Sequence, residues 1–142
     1  MFISTKGRYA LRIMIDLAKQ ENGRFVPLKE VALRQELSEK YLESILSILS
    51  KAGYLSSLRG KGGGYRLSRS PHEYTVAEIL QLTEGSLAPV SCLECNSTPC
   101  RRAAECPTLP MWQQLQTLIH NFFENITLED LTNTPGSVNF VI

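Results

Sequence analysis

Apolar residues recur at intervals of three and four near the start of the chain. The run extends from Thr5 to Gln20, and its apolar positions are Tyr9, Ala10, Ile13, Met14, Leu17 and Ala18. This spacing places the apolar side chains on one face of a helix. Ser4 or Thr5 can cap the helix, because a hydroxyl oxygen accepts from its first free backbone N–H groups. The first predicted element is therefore an amphipathic helix.

Two more helices are predicted to follow. Residues 28–34 form a short helical run, and residues 35–37 form a turn. Ser38 is a good N-cap for a helix over residues 39–52. The buried positions of that helix are predicted to be Leu42, Ile45, Leu46 and Leu49. Gly53 suits the position after a helix, where a left-handed backbone is common.

Strand-like runs come next. Phe25 and Val26 can form a short strand, and two longer runs cover residues 54–58 and 65–67. Between the longer runs lies Arg59-Gly60-Lys61-Gly62-Gly63-Gly64, in which four glycines permit a sharp hairpin loop. Two helices joined by a tight turn and followed by a hairpin are typical of a winged helix-turn-helix.

The second half of the chain is less regular. Residues 68–74 are predicted to be a linker, and Thr75 with Glu78 has the form of a capping box that starts a helix to about residue 83. A long helix is predicted over residues 109–124, and Thr127 caps a last turn before a tail that opens at Thr134. The long helix carries an apolar stripe of Trp112, Leu115, Leu118, Ile119, Phe122 and Phe123.

The predicted fold is mainly α-helical with a small β-hairpin wing. A chain of 142 residues with 43% hydrophobic residues can bury one core. Within that single structural domain, we expect a winged helix-turn-helix over residues 1–83, a cysteine-bearing loop over residues 84–108, and a dimerisation helix with a tail over residues 109–142. We refer to residues 84–108 as the cysteine loop.

Charge is distributed unevenly along the chain. Residues 1–69 hold thirteen Lys and Arg against six acids, which gives +7, whereas residues 70–142 carry −6. A basic half beside an acidic half favours a polyanion-binding surface, with nucleic acid as the first candidate. No apolar run approaches the roughly 18 residues of a membrane span, and no secretory signal is evident, so we expect a cytoplasmic protein without a membrane partner.

The helix that begins after Ser38 is the candidate DNA-reading element. The second helix of such a motif enters the major groove with its N-terminal residues facing the base edges. Those residues are Ser38, Glu39, Lys40, Tyr41, Glu43 and Ser44. Lys40 can reach a phosphate or guanine, Tyr41 can donate to a phosphate, and Glu43 can accept from cytosine N4.

The hairpin loop is the second candidate contact with DNA. Arg59 would lie near the minor groove, where a narrow A·T segment attracts arginine, and Lys61 would touch the backbone. Gly60 and the later glycines let the main chain approach the sugar-phosphate wall. The loop lacks the Gly-Lys-Ser/Thr spacing of a Walker motif, so nucleotide binding is not predicted.

All four cysteines fall within fifteen residues. Their spacing is Cys92-x2-Cys95-x4-Cys100-x5-Cys106. Four thiolates on one loop can hold an iron–sulfur cluster or zinc, or they can act as unligated redox-active thiols. Arg101 and Arg102 are expected to lower the pKa of the neighbouring thiols. A thiol redox enzyme is disfavoured, because no βαβ pattern and no histidine base lie near Cys92 and Cys95.

Three motifs together resemble the Rrf2 family of bacterial repressors and activators. They are Ser4-Thr5-Lys6-Gly7-Arg8-Tyr9-Ala10, Ser38-Glu39-Lys40-Tyr41-Leu42-Glu43, and Arg59-Gly60-Lys61-Gly62-Gly63-Gly64-Tyr65, and the resemblance continues through residues 126–131. It implies a homodimeric transcription factor in which the 109–124 helix packs against its copy in the partner. It also implies that Lys6 and Tyr9 hold phosphates, with Tyr41 and Glu43 in the major groove and Arg59 in the minor groove. Ser44 replaces a glutamine that is common in IscR-like members.

The same resemblance favours an iron–sulfur cluster of the [2Fe–2S] type, with zinc as the alternative. Cluster-binding members carry three cysteines with five residues between the last two, as between Cys100 and Cys106. Either Cys92 or Cys95 can be the first ligand. The family's usual fourth ligands are absent. IscR-like members have a histidine where this chain has Leu109. Other members use an acid or histidine from the first helix of the partner subunit, where this chain has Arg8 and Arg12. We therefore expect either an all-cysteine site or an oxygen ligand such as Glu105.

These expectations combine into one functional hypothesis. The chain is predicted to be a homodimeric DNA-binding regulator, not an enzyme. A bound cluster would fix the cysteine loop against the long helix and set the separation of the two reading helices. Operator affinity would follow, because a dimeric reader must match the spacing of two half-sites.

Overall fold

The computed structural model describes residues 3–20 and 23–133. Its α-helices are α1 (Thr5–Ala18), α2 (Leu28–Gln35), α3 (Glu39–Lys51), α4 (Val76–Glu84), α5 (Leu109–Glu124) and α6 (Leu128–Thr132). Strands β1 (Leu55–Leu58) and β2 (Gly64–Leu67) form a two-stranded antiparallel sheet. The predicted fold class, mainly α-helical with a hairpin wing, is confirmed. The predicted tail from Thr134 lies outside the described residues.

Helix α1 lies at the centre of the molecule. Its apolar face is buried, and it contacts α2, α3, α4, α6 and β2. The main core joins this face to the buried face of α3, including Leu42 and Leu46. Burial of these side chains provides the main stabilisation of the fold.

The predicted helix ends agree with the structure. The Ser4 hydroxyl accepts from the backbone N–H of Gly7 at 3.1 Å, and the Ser38 hydroxyl accepts from that of Tyr41 at 3.2 Å. Gly53 follows α3 with φ of +80°. Between α2 and α3, Glu36 adopts a left-handed backbone with φ of 55°, which reverses the chain in a few residues.

The hairpin is anchored to the segment before α2. Strands β1 and β2 pair from Leu55 with Leu67 to Leu58 with Gly64. Val26 pairs with Tyr65 through two backbone hydrogen bonds of 2.8 and 2.9 Å. A Cβ at Gly64 would overlap the Val26 carbonyl, so only glycine permits this close approach. The predicted short strand at residues 25–26 is thus a bridge to the wing.

The segment predicted as a linker has a structural role instead. Residues Pro71–Glu73 form a 3-10 turn that leads to Tyr74, whose side chain is fully buried. The Tyr74 hydroxyl donates to the Tyr54 carbonyl at 2.7 Å and accepts from the N–H of Ser68 and of Arg69 at 3.1 and 3.0 Å. A single aromatic residue in a polar run has no periodicity, so the pattern could not indicate this burial.

Helix α5 is divided into an inner and an outer face. Phe122 and Phe123 pack against a second small core of Val76, Leu80 and Ile126. On the outer face Met111, Leu115 and Leu118 are 52%, 37% and 63% exposed. The predicted single stripe therefore contributes only in part to this molecule's own core. Within the described ranges, no helix is both long and apolar enough to cross a membrane.

Candidate nucleic-acid interface and cysteine loop

The first turns of α3 present polar side chains to solvent. Ser38, Lys40, Glu43 and Ser44 are exposed, and Tyr41 is half-buried. The Ser44 hydroxyl donates to the Tyr41 carbonyl at 2.6 Å, which fixes its orientation. The exposed groups match in kind the donors and acceptors that read base edges.

Helix α1 contacts this surface through an aromatic pair. The rings of Tyr9 and Tyr41 meet edge to face with centroids 6.0 Å apart. The Arg12 guanidinium lies 5.0 Å from the Tyr9 ring centroid. Lys6 is half-buried one turn before Tyr9. Residues predicted on two separate helices are therefore brought together at one surface.

The wing loop presents its basic residues separately from the helices. Arg59, Gly60 and Lys61 are all exposed at the tip of the hairpin. Gly60 has φ of +91°, and its carbonyl accepts from the N–H of Gly63 at 3.0 Å. A Cβ at Gly63 would overlap the Leu58 carbonyl, so the tight loop requires glycine there. The backbone thus holds both cations outward.

A buried carboxylate positions α2, which the sequence reasoning missed. Asp16 is 6% exposed and receives Arg34 Nη2 at 2.7 Å and Arg34 Nε at 3.0 Å. Gln35 Nε2 donates to the same carboxylate at 2.8 Å. An acid between the apolar positions Ile13 and Leu17 was the available signal, since such a residue needs a buried partner.

An exposed ion-pair network extends from Arg34. Glu30 accepts from Arg24 at 2.6 Å and from Arg34 at 2.8 Å. The hydrogen bond from Arg24, with that from Arg34, lowers the pKa of Glu30 to about 2. Because these side chains are exposed, the network adds little stability, although it orients the Arg34 guanidinium toward Asp16.

Two short turns and one long side chain shape the cysteine loop. Ser91–Leu93 and Ala103–Glu105 form 3-10 turns. The Ser97 hydroxyl donates to the Glu94 carbonyl at 2.8 Å, which closes the turn that carries Cys95. Gln116 on α5 donates to the Leu93 carbonyl at 3.3 Å and ties the loop to the long helix.

Three of the four thiols share one cavity. Cys92, Cys100 and Cys106 line a cavity of about 380 Å³, together with Glu94. All four cysteines are free, and Cys106 is the most buried of them. Among the residues that the structure describes, no three His, Cys, Asp or Glu side chains converge closely enough to hold a metal ion.

The fourth thiol faces another cavity. Cys95 lines a space of about 340 Å³ with Gln81, Gln116 and His120. Glu105, which was predicted as an oxygen ligand, is exposed and lines neither of the two cavities.

The Cys106 thiol has a hydrogen-bond partner at the start of α5. Its Sγ lies 3.4 Å from the Thr108 hydroxyl, and this hydrogen bond lowers the pKa of Cys106 below its ordinary value, with help from the backbone of Thr108 and Leu109. Arg101 and Arg102 are not among the causes, so the expected effect of the arginines is not seen at Cys106.

The chain matches one protein-family model over nearly its whole length. Residues 3–134 match the model described as Rrf2, iron-dependent transcriptional regulator. The HTH-type transcriptional regulator CymR of Bacillus subtilis is 39% identical over 133 residues, which cover 94% of this chain and 91% of CymR. The HTH-type transcriptional regulator IscR of Vibrio campbellii is 36% identical over 131 residues, which cover 92% of this chain and 77% of IscR.

Solved structures have the same fold. The structure of CymR, the global cysteine regulator of B. subtilis, aligns with a TM-score of 0.75 and covers 93% of this chain and 96% of its own. That of T. potens IscR aligns with a TM-score of 0.72 at 36% identity, covering 92% of this chain and 85% of its own.

Proposed function

The chain belongs to the Rrf2 family of transcriptional regulators, and we propose from this premise that it binds operator DNA as a homodimer under the control of an iron–sulfur cluster. It is a regulator rather than an enzyme, as its relatives are. We place it in the cytoplasm, where an operator is accessible.

The contact between Tyr9 and Tyr41 is the observation that carries the DNA-binding proposal. It fixes the first turns of α1 beside the first turns of α3, so that Lys6 and Tyr9 hold phosphates while α3 enters the major groove. Phosphate contacts set the register of the helix, and Glu43 then accepts from cytosine N4 while Lys40 reaches guanine or phosphate. Ser38, Tyr41 and Ser44 complete this surface.

The wing completes the proposed interface. Arg59 enters the minor groove, Lys61 contacts the backbone, and Gly60 leaves room for the sugar-phosphate wall. Both cations are exposed at the hairpin tip, which supports this assignment.

The DNA interface is tested with a pair of charge-matched variants. Footprinting first identifies the operator, and its affinity is then measured by fluorescence anisotropy. Arg59→Ala should weaken binding at least tenfold, because a minor-groove arginine contributes both charge and shape readout. The control is Lys51→Ala, which removes an exposed cation about 18 Å from the start of α3 along the helix. Equal effects of the two changes would remove the wing from the interface.

The outer face of α5 supports the homodimer. No residue of this 16-residue helix is buried, although Met111, Leu115 and Leu118 form an apolar strip along it. We propose that the same strip of a second copy covers it, since a two-fold interface joins identical patches. Helix α5, which carries the strip, directly follows the cysteine loop, so a change in the conformation of the loop would alter the geometry of the dimer.

The kind of donor in the cysteine loop supports an iron–sulfur cluster. Three thiols face one cavity, and thiolates are the usual protein ligands of such clusters. Cys92, Cys100 and Cys106 would hold a [2Fe–2S] cluster, with Cys95 or a carboxylate such as Glu105 completing the site. The thiols have to draw together as the group binds, because they are not gathered beforehand. When bound, the cluster supplies a redox-sensitive group whose loss releases the loop.

Anaerobic purification tests the cofactor. Brown protein with equal amounts of iron and acid-labile sulfide supports the cluster, and Cys100→Ala and Cys106→Ala should abolish the visible absorption. Colourless protein with one zinc per chain would overturn the cluster and favour zinc.

Thiol sensing without a metal is the second candidate function. It is favoured by the lowered pKa of Cys106 and by the 39% identity to CymR, the global cysteine regulator of B. subtilis. Under this alternative, metal-free protein should change its operator affinity when its thiols are oxidised and recover it on reduction.

A further inference from the structure

The beginning of α1 is bonded to the end of α4 through one carboxylate. Glu84 Oε1 accepts from the Ser4 hydroxyl at 2.6 Å and from the Ser4 backbone N–H at 3.0 Å. The same hydroxyl accepts from the Gly7 N–H at 3.1 Å, so the N-cap of α1 is oriented by Glu84. The Glu84 carboxylate, the Ser4 hydroxyl and the Gly7 N–H thus form one hydrogen-bonded chain, in which Ser4 and Glu84 are 80 positions apart.

The charge of Glu84 suits α1 rather than its own helix. Glu84 is the last residue of α4, where the negative end of the helix dipole disfavours an acid. Its carboxylate lies instead at the start of α1, where the free N–H groups favour an anion. The placement of this acid is therefore explained by its bond to α1.

The first turn of α1 and the end of α4 are in close contact at this point. Gly7 is buried, and a Cβ on it would overlap Glu84 Oε1 and lie 3.3 Å from the Thr83 hydroxyl. A shift of the end of α4 would therefore reach the first turn of α1 through the two Ser4–Glu84 hydrogen bonds and this close contact.

Glu84 joins two functional regions along the chain. It is both the last residue of α4 and the first residue of the cysteine loop, and the rest of that loop departs from this contact through Gly85, with φ of +79°. On the other side, the first turn of α1 carries Lys6, and Tyr9 lies one turn later against Tyr41 of α3. A single carboxylate thus connects the base of the loop with the end of α1 that faces the proposed operator.

We propose that Glu84 is a positioning residue that transmits the state of the cysteine loop to the operator, by setting through Ser4 the position of the Lys6 and Tyr9 turn of α1. This inference rests on the proposed function. A loop held by the cluster keeps the end of α4, and with it the N-cap of α1, in the operator-binding position. Release of the loop loosens that end and weakens the phosphate contacts.

The experiment compares operator affinity in the two loop states. Cluster-loaded and cluster-free proteins are prepared for the wild type, Glu84→Ala, Ser4→Ala and the double variant. The wild-type affinities should differ by about fivefold or more, as in ordinary allosteric coupling, and in each variant the ratio should fall below about twofold. The double variant should behave like either single variant, because both remove the same link.

The ratio of the operator affinities of the cluster-loaded and cluster-free proteins distinguishes a positioning role of Glu84 from a purely structural one. A purely structural contact would weaken both loop states alike and leave their ratio unchanged, which would overturn the proposal. Glu84→Gln keeps an acceptor for Ser4 and should retain more of the ratio than Glu84→Ala. The control Glu129→Gln removes an exposed acid elsewhere on the acidic half and should keep the wild-type ratio.

A second measurement tests the link without DNA or cluster. Hydrogen exchange over residues 4–12 should change when the loop thiols of metal-free wild type are alkylated, and this response should be lost in Glu84→Ala. Equal operator affinities of cluster-loaded and cluster-free wild type would refute the proposed function. A hydrogen-exchange response that is retained in Glu84→Ala would refute the role of Glu84.

Discussion

The carboxylate of Asp16 shows how one side chain can orient a whole helix. It is buried beneath α2, where Arg34 binds it through two nitrogens and Gln35 through a third donor. A buried carboxylate with this many charge-assisted bonds is strongly directional. These bonds tie the end of α2 to α1, and the tight turn at Glu36 leads directly from α2 to α3.

Replacing Asp16 with Asn tests this role. The amide keeps the shape but loses the charge that three donors share, so we expect a loss of about 1–3 kcal/mol in the free energy of unfolding. Urea denaturation followed by circular dichroism measures it. The control is Glu30→Gln, which removes an exposed partner of the same Arg34 and should have a much smaller effect. Equal losses would contradict a special role for the buried acid.

The pKa of Glu78 makes the stability of the protein depend on pH. Burial raises its pKa, but the hydrogen bonds from Arg69 at 2.8 Å and from the Thr75 N–H at 3.2 Å outweigh burial, so the pKa lies below its ordinary value of 4.5. A lowered pKa in the folded state gives stability that is present above the ordinary pKa and is lost as the pH falls through the lowered one.

The comparison of wild type with Glu78→Gln measures this contribution. At about pH 7 the wild type should be more stable by about 0.5–1 kcal/mol, since the ion pair is partly exposed. Below about pH 4 the difference should shrink as the carboxyl group is protonated. Urea unfolding at several pH values provides the curve. A difference that stays constant down to about pH 3 would contradict the lowered pKa.

At the scale of elements, periodic patterns predicted α1, α3 and α5 nearly to their ends. Hydroxyl caps and Gly53 marked the boundaries because each satisfies a local backbone requirement. The pattern could not predict the burial of Tyr74 or the anchoring of the wing by Val26, since both depend on contacts between segments far apart in sequence. It also could not distinguish Cys92 from Cys95, because the irregular cysteine loop has no period that fixes which way a side chain faces.

The two faces of α5 give a prediction at the scale of the element. Leu118→Glu places a charge on the outer strip of each subunit of the proposed dimer, and burial of two such charges should weaken dimerisation by about a hundredfold. Analytical ultracentrifugation over a concentration series measures the dissociation constant. The control Leu33→Glu makes the same substitution at a leucine of α2 that is 82% exposed, and it should leave the dimer intact. A dimer unaffected by Leu118→Glu would place the interface elsewhere.

The whole molecule separates charge by function. Its basic half holds the first turns of α1 and α3 and the wing, whereas its acidic half holds the cysteine loop and α5. Glu84 belongs to the acidic half but reaches into the basic one through Ser4. The net charge of +1 conceals this difference between the two halves of the chain.

The opposite charges of Lys40 and Glu43 on α3 predict different effects on DNA binding. Lys40 should contribute to affinity for any sequence, and Glu43 should contribute to discrimination between sequences. If Lys40 contacts a phosphate rather than guanine, Lys40→Ala should weaken binding to all sequences similarly and reduce the slope of log affinity against log salt by about one. Glu43→Ala removes a proposed base contact, so it should leave that slope unchanged while relaxing discrimination at one operator position by about 1–3 kcal/mol. Anisotropy titrations over a salt series, on the operator and on single-base variants, measure both quantities. The two variants control for each other, since both side chains are exposed on the same turn of helix. If Lys40→Ala altered base preference and Glu43→Ala altered only the salt slope, α3 would have to enter the groove in another orientation.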